Sequence, residues 1–133
     1  MNNHFHAMVW IDHREAKVFH FNATESELAV IHSTHPDQHL HHKANSGDSG
    51  HAAVDKDYLR HVTAELGKAG AILITGPAGA KTELKTYIDD NAPAIAQKIS
   101  GVETLDHPTD GVLLAHGRKF FRADDRMQGR AGA

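Results

Sequence analysis

The stretch that decides the fold is AGAILITGPAGAKTELKTYI, residues 69–88. Ile72, Leu73 and Ile74 form a short unbroken apolar run set between small residues. That pattern predicts a strand buried on both faces, as in a parallel or mixed sheet. Gly76, Pro77 and Gly79 stop the strand, and residues 81–90 restart at helical spacing, with Leu84 and Ile88 one turn apart. Strand, glycine-rich turn and helix make one α/β unit, so the remaining chain must supply neighbouring strands and covering helices.

The turn itself invites comparison with a phosphate-cradling loop, which needs Gly, four residues, then Gly-Lys-Ser/Thr so that successive N–H groups wrap the phosphates. Residues 76–82 are one residue short of that spacing, and Ala80 stands where the second glycine belongs. Pro77 also removes one of the N–H groups the cradle would use. Nucleotide hydrolysis is therefore not the expectation. What the pattern leaves open is a weaker anion-binding turn formed by Gly76, Gly79, Lys81 and Thr82 at a helix N-terminus.

Upstream, residues 6–12 are dense in strand formers, residues 15–21 alternate with Ala16, Val18 and His20 on one side, and residues 27–33 form a third apolar run. The connections at 12–14 and 22–26 are too short for anything but antiparallel neighbours, which predicts a three-stranded meander. Residues 55–67 read as a helix with Asp55 as N-cap, Gly67 at its end, and Tyr58, Val62 and Leu66 along one stripe that Val54 begins. Downstream, Pro93 interrupts the 81–90 helix, which 94–99 extends after a kink. A fifth strand is expected at 101–106 and a last helix at 109–121, with Leu113, Leu114, Gly117, Phe120 and Phe121 on its inner side. His107-Pro108-Thr109-Asp110 is a helix entry, with Thr109 or Asp110 as cap. Each later strand follows a helical crossover, as parallel strands require. The expected architecture is an α/β fold of ribonuclease H-like topology: a mixed five-stranded sheet in which an antiparallel meander is followed by two parallel strands.

At 133 residues, residues 1–121 are expected to form a single domain, followed by a frayed tail at 122–133. The chain has no cysteine, which excludes disulfides and thiolate metal sites. A net charge of −3 with histidine neutral argues against a broadly basic nucleic-acid surface. The start carries no apolar leader segment and no stretch approaches the roughly 20 apolar residues of a membrane span, so the expectation is a cytoplasmic protein without membrane contact.

The unusual feature is 13 histidines, many of them in residues 35–53, HPDQHLHHKANSGDSGHAA. This is a long, nearly apolar-free segment with a turn-rich centre at 45–50, and long loops in compact domains often carry function. His35, Gln38, His39, His41, His42, Lys43 and His51 are its candidate contact residues, with His32 just before it. Imidazoles suit zinc, nickel or copper, but structural zinc sites fix their ligands on short ordered turns. A flexible polar loop that binds metal only adventitiously is the plainer reading, so neither a specific metal nor a cofactor is expected.

The element order, the phrase Asp57-Tyr58-Leu59-Arg60-His61-Val62 in the first helix, and Lys81-Thr82-Glu83-Leu84 after the small-residue turn together resemble the middle domain of archaeal and eukaryotic class 1 peptide release factors and of Pelota. The resemblance spans residues 7–121 and extends to small stand-alone bacterial relatives of that domain. It implies the ribonuclease H-like fold, with the ribosome or RNA as partner. In release factors the loop after the third strand carries the Gly-Gly-Gln tripeptide that positions water on the peptidyl ester. Residues 35–53 hold Gln38, Gly47 and Gly50 apart, without that tripeptide. The resemblance therefore implies a non-catalytic factor, as in Pelota, with the 35–53 loop as contacting element.

Two other functions set against it are a metal-dependent hydrolase and a metal- or partner-binding histidine loop. Ribonuclease H-like nucleases hold two metal ions on strand-borne acids. Asp12 and Asp106 close strands here and Asp110 follows in the helix start, but the 72–74 strand carries no acid. Capping of turns and a helix N-terminus is the plainer role. Arg118, Lys119, Arg122, Arg126 and Arg130 give the C-terminal end positive charge that Asp124 and Asp125 partly offset, which suits a solvated helix end. An exposed edge strand in the meander offers a route to a homo-oligomer.

Overall fold

The structure, a computed structural model, describes residues 5–33 and 55–128, with side chains through Asp124. Strand β1 (His6–Ile11) is followed by β2 (Glu15–Phe21) and β3 (Ser26–His32). Helix α1 (Lys56–Leu66), strand β4 (Ala71–Gly76), helix α2 (Ala80–Asn91), the single turn α3 (Pro93–Ala96), strand β5 (Ile99–Thr104) and helix α4 (Asp110–Gln128) complete the order. The five strands form one sheet in the order β3-β2-β1-β4-β5. β1, β2 and β3 pair antiparallel, while β4 runs parallel to both β1 and β5. This is the expected ribonuclease H-like mixed sheet.

The two faces of the sheet sort the side chains by the period of two. Ala7, Val9 and Ile11 of β1, Ala16 and Val18 of β2, and Ile72 and Ile74 of β4 pack under Tyr58, Leu59, Val62 and Leu66 of α1 and Leu84 and Ile88 of α2. Met8 and Trp10, Phe19 and Phe21, and Ala71 and Leu73 face the other way, against Leu113 and Phe121 of α4. β1 and β4 are buried along their whole length, because helices cover both faces there. β3, at the edge, is mostly exposed.

Local chemistry sets the ends of the elements. Asp55 caps α1, its carboxylate accepting from the Asp57 N–H at 3.1 Å. Thr109 caps α4, its hydroxyl accepting from the Val112 N–H at 3.2 Å. Gly67 ends α1 in a right-handed conformation (φ −63°, ψ −14°), so it is not the left-handed C′ glycine its position suggests. A Cβ there would lie 3.0 Å from Ile95 Cδ1, which makes space the constraint. Gly117 has the same explanation on α4, since a Cβ would lie 2.9 Å from Met8 Sδ and 3.1 Å from Phe21 Cζ. The inner side of α4 thus reaches the sheet as its spacing predicts.

Three boundaries differ from the sequence expectation. Pro93 opens α3 at its N-terminal position rather than kinking a longer helix, and the chain leaves that turn at Ala96. β5 consequently begins at Ile99, two residues before the expected start, and ends at Thr104. α4 continues to Gln128, past the expected stop at Phe121. The residues after Phe121 are polar but include good helix formers, and Gly129 is the first breaker in the sequence. No helix among the described residues is long and apolar enough to cross a membrane.

Candidate functional site

The carboxyl ends of the parallel strands, where open α/β sheets bind ligands, bring Asp12, Gly76 and Asp106 of the singled-out residues to one edge. β1, β4 and β5 end there at Ile11, Gly76 and Thr104. The antiparallel partners meet the same edge through the Glu15–His32 pair. Ser33 and Asp55, which flank residues 34–54, also lie at this edge. The Ser33 N–H donates to the Arg14 carbonyl at 2.9 Å, and Tyr58, in the first turn after Asp55, donates its hydroxyl to the Asp12 carbonyl at 3.0 Å.

Asp12 is committed to the β1–β2 turn. Its Oδ1 accepts from the backbone N–H groups of Arg14 (2.8 Å) and Glu15 (2.9 Å), an arrangement aspartate adopts in tight turns. Asp106 follows β5 rather than ending it, and its exposed carboxylate lies 3.0 Å from His107 Nδ1. Asp110 pairs with Lys17 at 2.8 Å, and that hydrogen bond raises the lysine pKa above its ordinary value. Trp10 ties this corner together. Its indole N–H donates to the carbonyls of Asp106 (2.7 Å) and Leu105 (3.2 Å), and its ring meets the His107 ring edge-on at 5.1 Å. Among the described residues no group of three histidine or carboxylate side chains is placed to hold a metal ion. The capping roles of the acids follow from their composition and position; the Trp10 clasp has no sequence signal, because its acceptors are backbone carbonyls about 95 residues away.

The residues of the anion-turn expectation lie between β4 and α2. Gly76 closes β4, Gly79 is the N-cap of α2 without a side-chain cap bond, and Lys81 donates to the Ala78 carbonyl at 2.7 Å. Thr82 is exposed on the first turn of α2 and lines, with Lys56, Leu59, Glu83, Tyr87 and Asn91, a groove of about 310 Å³ between α1 and α2. His35, Gln38, His39, His41, His42, Lys43 and His51 lie outside the described residues. His32 is exposed, 3.9 Å from Glu15. Arg118 does not face outward as a free cation: it donates to the carbonyls of Asn22 (3.0 Å) and Glu25 (3.2 Å), fastening α4 to the β2–β3 turn. The side chains of Arg126 and Arg130 lie outside the described set.

Tyr58 is a buried clasp between α1 and this edge, and burial among Asp12 and Glu15 pushes its phenol pKa far above the ordinary tyrosine value. Tyr58→Phe is expected to lower stability by about 1 kcal/mol, the net worth of one such bond, read from urea midpoints at unchanged m-value. An unchanged midpoint would show that water replaces the hydroxyl at the Asp12 carbonyl.

Away from the edge, the alternation of β2 carries His20 to the α1 face, where it is 3 % exposed. Its Nε2 lies 2.9 Å from Glu65 Oε2, and Lys68 approaches Glu65 Oε1 at 3.1 Å. Burial opposes the charge on Glu65, but the hydrogen bonds from Lys68 and His20 outweigh it and hold the carboxyl below the usual glutamate range. A lowered folded pKa means stability that is present above the unfolded value of about 4.3 and lost as pH falls through the folded value. Glu65→Gln is therefore expected to be less stable than wild type at pH 7, by roughly 1 kcal/mol. The gap should narrow in acid below about pH 4, as thermal midpoints at both pH values would show. A gap independent of pH would locate the loss in packing rather than charge.

The described residues thus define an α/β domain of ribonuclease H-like topology whose carboxyl edge is clasped by Tyr58 and Trp10 and flanks the histidine-rich segment. No protein-family model and no curated protein matches the sequence. Among solved structures, Archaeoglobus fulgidus Pelota is similar over 83 % of this chain and 29 % of its own, at 13 % identity and a TM-score of 0.59. The archaeal translation termination factor aRF1 matches 81 % of this chain and 32 % of its own, at 11 % identity and a TM-score of 0.55. Saccharomyces cerevisiae Dom34, described as a translation termination-like factor involved in RNA quality control and interacting with Hbs1, matches 96 % of this chain and 39 % of its own, at 10 % identity and a TM-score of 0.55. The chain spans roughly a third of the length of these proteins. At such identities the likeness is one of fold, and the fold is that of a release-factor/Pelota-like middle domain.

Proposed function

We propose that this chain is a non-catalytic, translation-associated protein of the cytoplasm that contacts the ribosome or RNA through residues 35–53. The observation that supports this reading most is the shared fold of three translation factors over more than four-fifths of the chain. The edge geometry supports the choice of contacting element, because Ser33 before the segment and Tyr58 after it are both bonded to the β1–β2 turn. His35, Gln38, His39, His41, His42, Lys43 and His51 are the contact residues in this proposal, with Lys43 the segment's fixed positive charge. Gly76, Gly79, Lys81 and Thr82 form a secondary anion contact for backbone phosphates.

The test is co-sedimentation of purified protein with ribosomes at low and moderate salt, beside a variant lacking residues 36–50. Binding that persists at moderate salt and disappears with the segment is the expected result. Equal binding by both forms would remove the segment from the proposal. Absence of binding at either salt would leave the shared fold without the shared partner.

A further inference from the structure

The two edges of the sheet are not alike. β5 pairs with β4 through a register irregularity between Ile72 and Leu73, and its Glu103 is held by His116 at 2.6 Å. Irregular register and edge charges are devices that discourage strand addition. β3 is a seven-residue edge, SELAVIH, with no proline and no irregularity in its pairing with β2.

The pairing fixes which backbone groups β3 offers. Beyond the ladder's two ends, the Ser33 N–H donates to the Arg14 carbonyl and the Asn22 N–H to the Glu25 carbonyl. In an antiparallel ladder hydrogen-bonded pairs alternate with non-bonded ones. Glu27, Ala29 and Ile31 therefore spend their N–H and C=O groups on β2, and Ser26, Leu28, Val30 and His32 aim theirs outward. Those same four residues are exposed, and Leu28 (43 %) and Val30 (44 %) are among the most exposed large apolar side chains described. They stand on the α4 face, opposite Phe19 and Lys17 of β2. α4 packs on β1 and β2 through Met8, Trp10, Phe19 and Phe21 and leaves Leu28 and Val30 of β3 uncovered.

The geometry points to a second copy of this chain as the partner of β3, added antiparallel about a twofold axis through Ala29. In that register Leu28 meets the partner's Val30 and Ser26 meets the partner's His32, each pair exchanging both backbone hydrogen bonds. The two copies of Leu28 and Val30 then close into one apolar cluster on the α4 face. Charge favours the antiparallel sense. A parallel, in-register pairing would set Glu27 against its own copy, whereas the antiparallel one sets it opposite the partner's Ile31, so no like charges stand opposite. The result is a continuous ten-stranded sheet, five strands from each copy. Contact confined to one strand and four apolar side chains is small beside the roughly 1,200 Å² of a stable complex, so the dimer is a weak, concentration-dependent one.

Sedimentation velocity of the full chain from about 5 to 500 µM, a span centred on the affinity that so small a contact supports, is expected to show a monomer giving way to a dimer. Leu28→Lys and Val30→Lys, both at exposed positions, should each shift the transition at least tenfold higher in concentration. Because the chain has no cysteine, a single one reports register. Ala29→Cys lies on the axis in a non-bonded pair, about 4.5 Å between Cα atoms, within disulfide reach, and should cross-link on mild oxidation. Glu27→Cys, roughly 14 Å from its twin by the strand rise, should not, although it is the more exposed position. A monomer across the whole range, or a dimer indifferent to both lysine variants, overturns the proposal. Cross-linking at Glu27→Cys equal to that at Ala29→Cys overturns the register.

Discussion

Gly76→Ala is expected to cost the fold about 2–4 kcal/mol, more than most substitutions of one methyl group, because no side chain can yield to it. A Cβ at this position would lie 2.3 Å from the Ile11 carbonyl oxygen, a backbone atom of the neighbouring parallel strand. Relief requires parting β1 from β4 at the end where both are buried and where the Gly76 carbonyl also accepts from the Leu105 N–H at 3.0 Å. For a chain of this length the loss corresponds to a fall in melting temperature of roughly 10 °C. Gly79→Ala is the control, since nothing lies within 4 Å of a Cβ there and its φ of −74° suits any residue. It should change stability by no more than about 0.5 kcal/mol. Similar behaviour of the two variants would mean that the close approach of β1 and β4 is not what requires glycine at 76.

That pair of glycines shows what a sequence spacing conveys and what it leaves out. In the sequence they punctuate one turn and suggest one role, the cradling of an anion. In space Gly76 also belongs to the β1–β4 contact and Gly79 to the open start of α2, so the same spacing carries two backbone constraints beside any anion contact. The buried strand of Ile72, Leu73 and Ile74 and the short turns at Asp12 and Asn22 were legible, because they depend on burial pattern and loop length, which are local. β5 was displaced by two residues in the reading because an edge strand that is half exposed has little apolar signal to fix its start. The extension of α4 to Gln128 was hidden because the sequence after Phe121 is largely polar, so helix formers persist without a sustained apolar stripe to mark them. Of the candidate site, composition identified the histidine-rich segment, and the structure ties Ser33 before it and Tyr58 after it to the β1–β2 turn. The clasps that shape the edge around it were not legible, since Tyr58 and Trp10 both donate to backbone carbonyls, which every residue has.

Trp10→Ala is the other substitution expected to be severe, at about 3–5 kcal/mol, the range for removing a buried aromatic side chain. The ring is 3 % exposed and fills the space between β1 and α4 beside Phe19, Leu73 and Leu113. Its removal also frees two carbonyls, those of Leu105 and Asp106, which hold the β5–α4 connection against the carboxyl edge. Against a total stability of roughly 5–15 kcal/mol for a domain, such a loss can leave a substantial unfolded fraction at 37 °C. Trp10→Phe separates the two contributions. It keeps a buried six-membered ring while removing the N–H donor together with the rest of the indole's second ring, so it should cost about 2–3 kcal/mol. Urea unfolding followed by far-UV circular dichroism measures all three proteins alike, whereas fluorescence would not, because Trp10 is the single tryptophan of the chain. If Trp10→Phe falls as far as Trp10→Ala, the indole N–H is the clasp and the ring is filler. If Trp10→Phe is neutral, water or another donor satisfies Asp106, and the position of His107 and Asp106 at the edge depends on packing with α4.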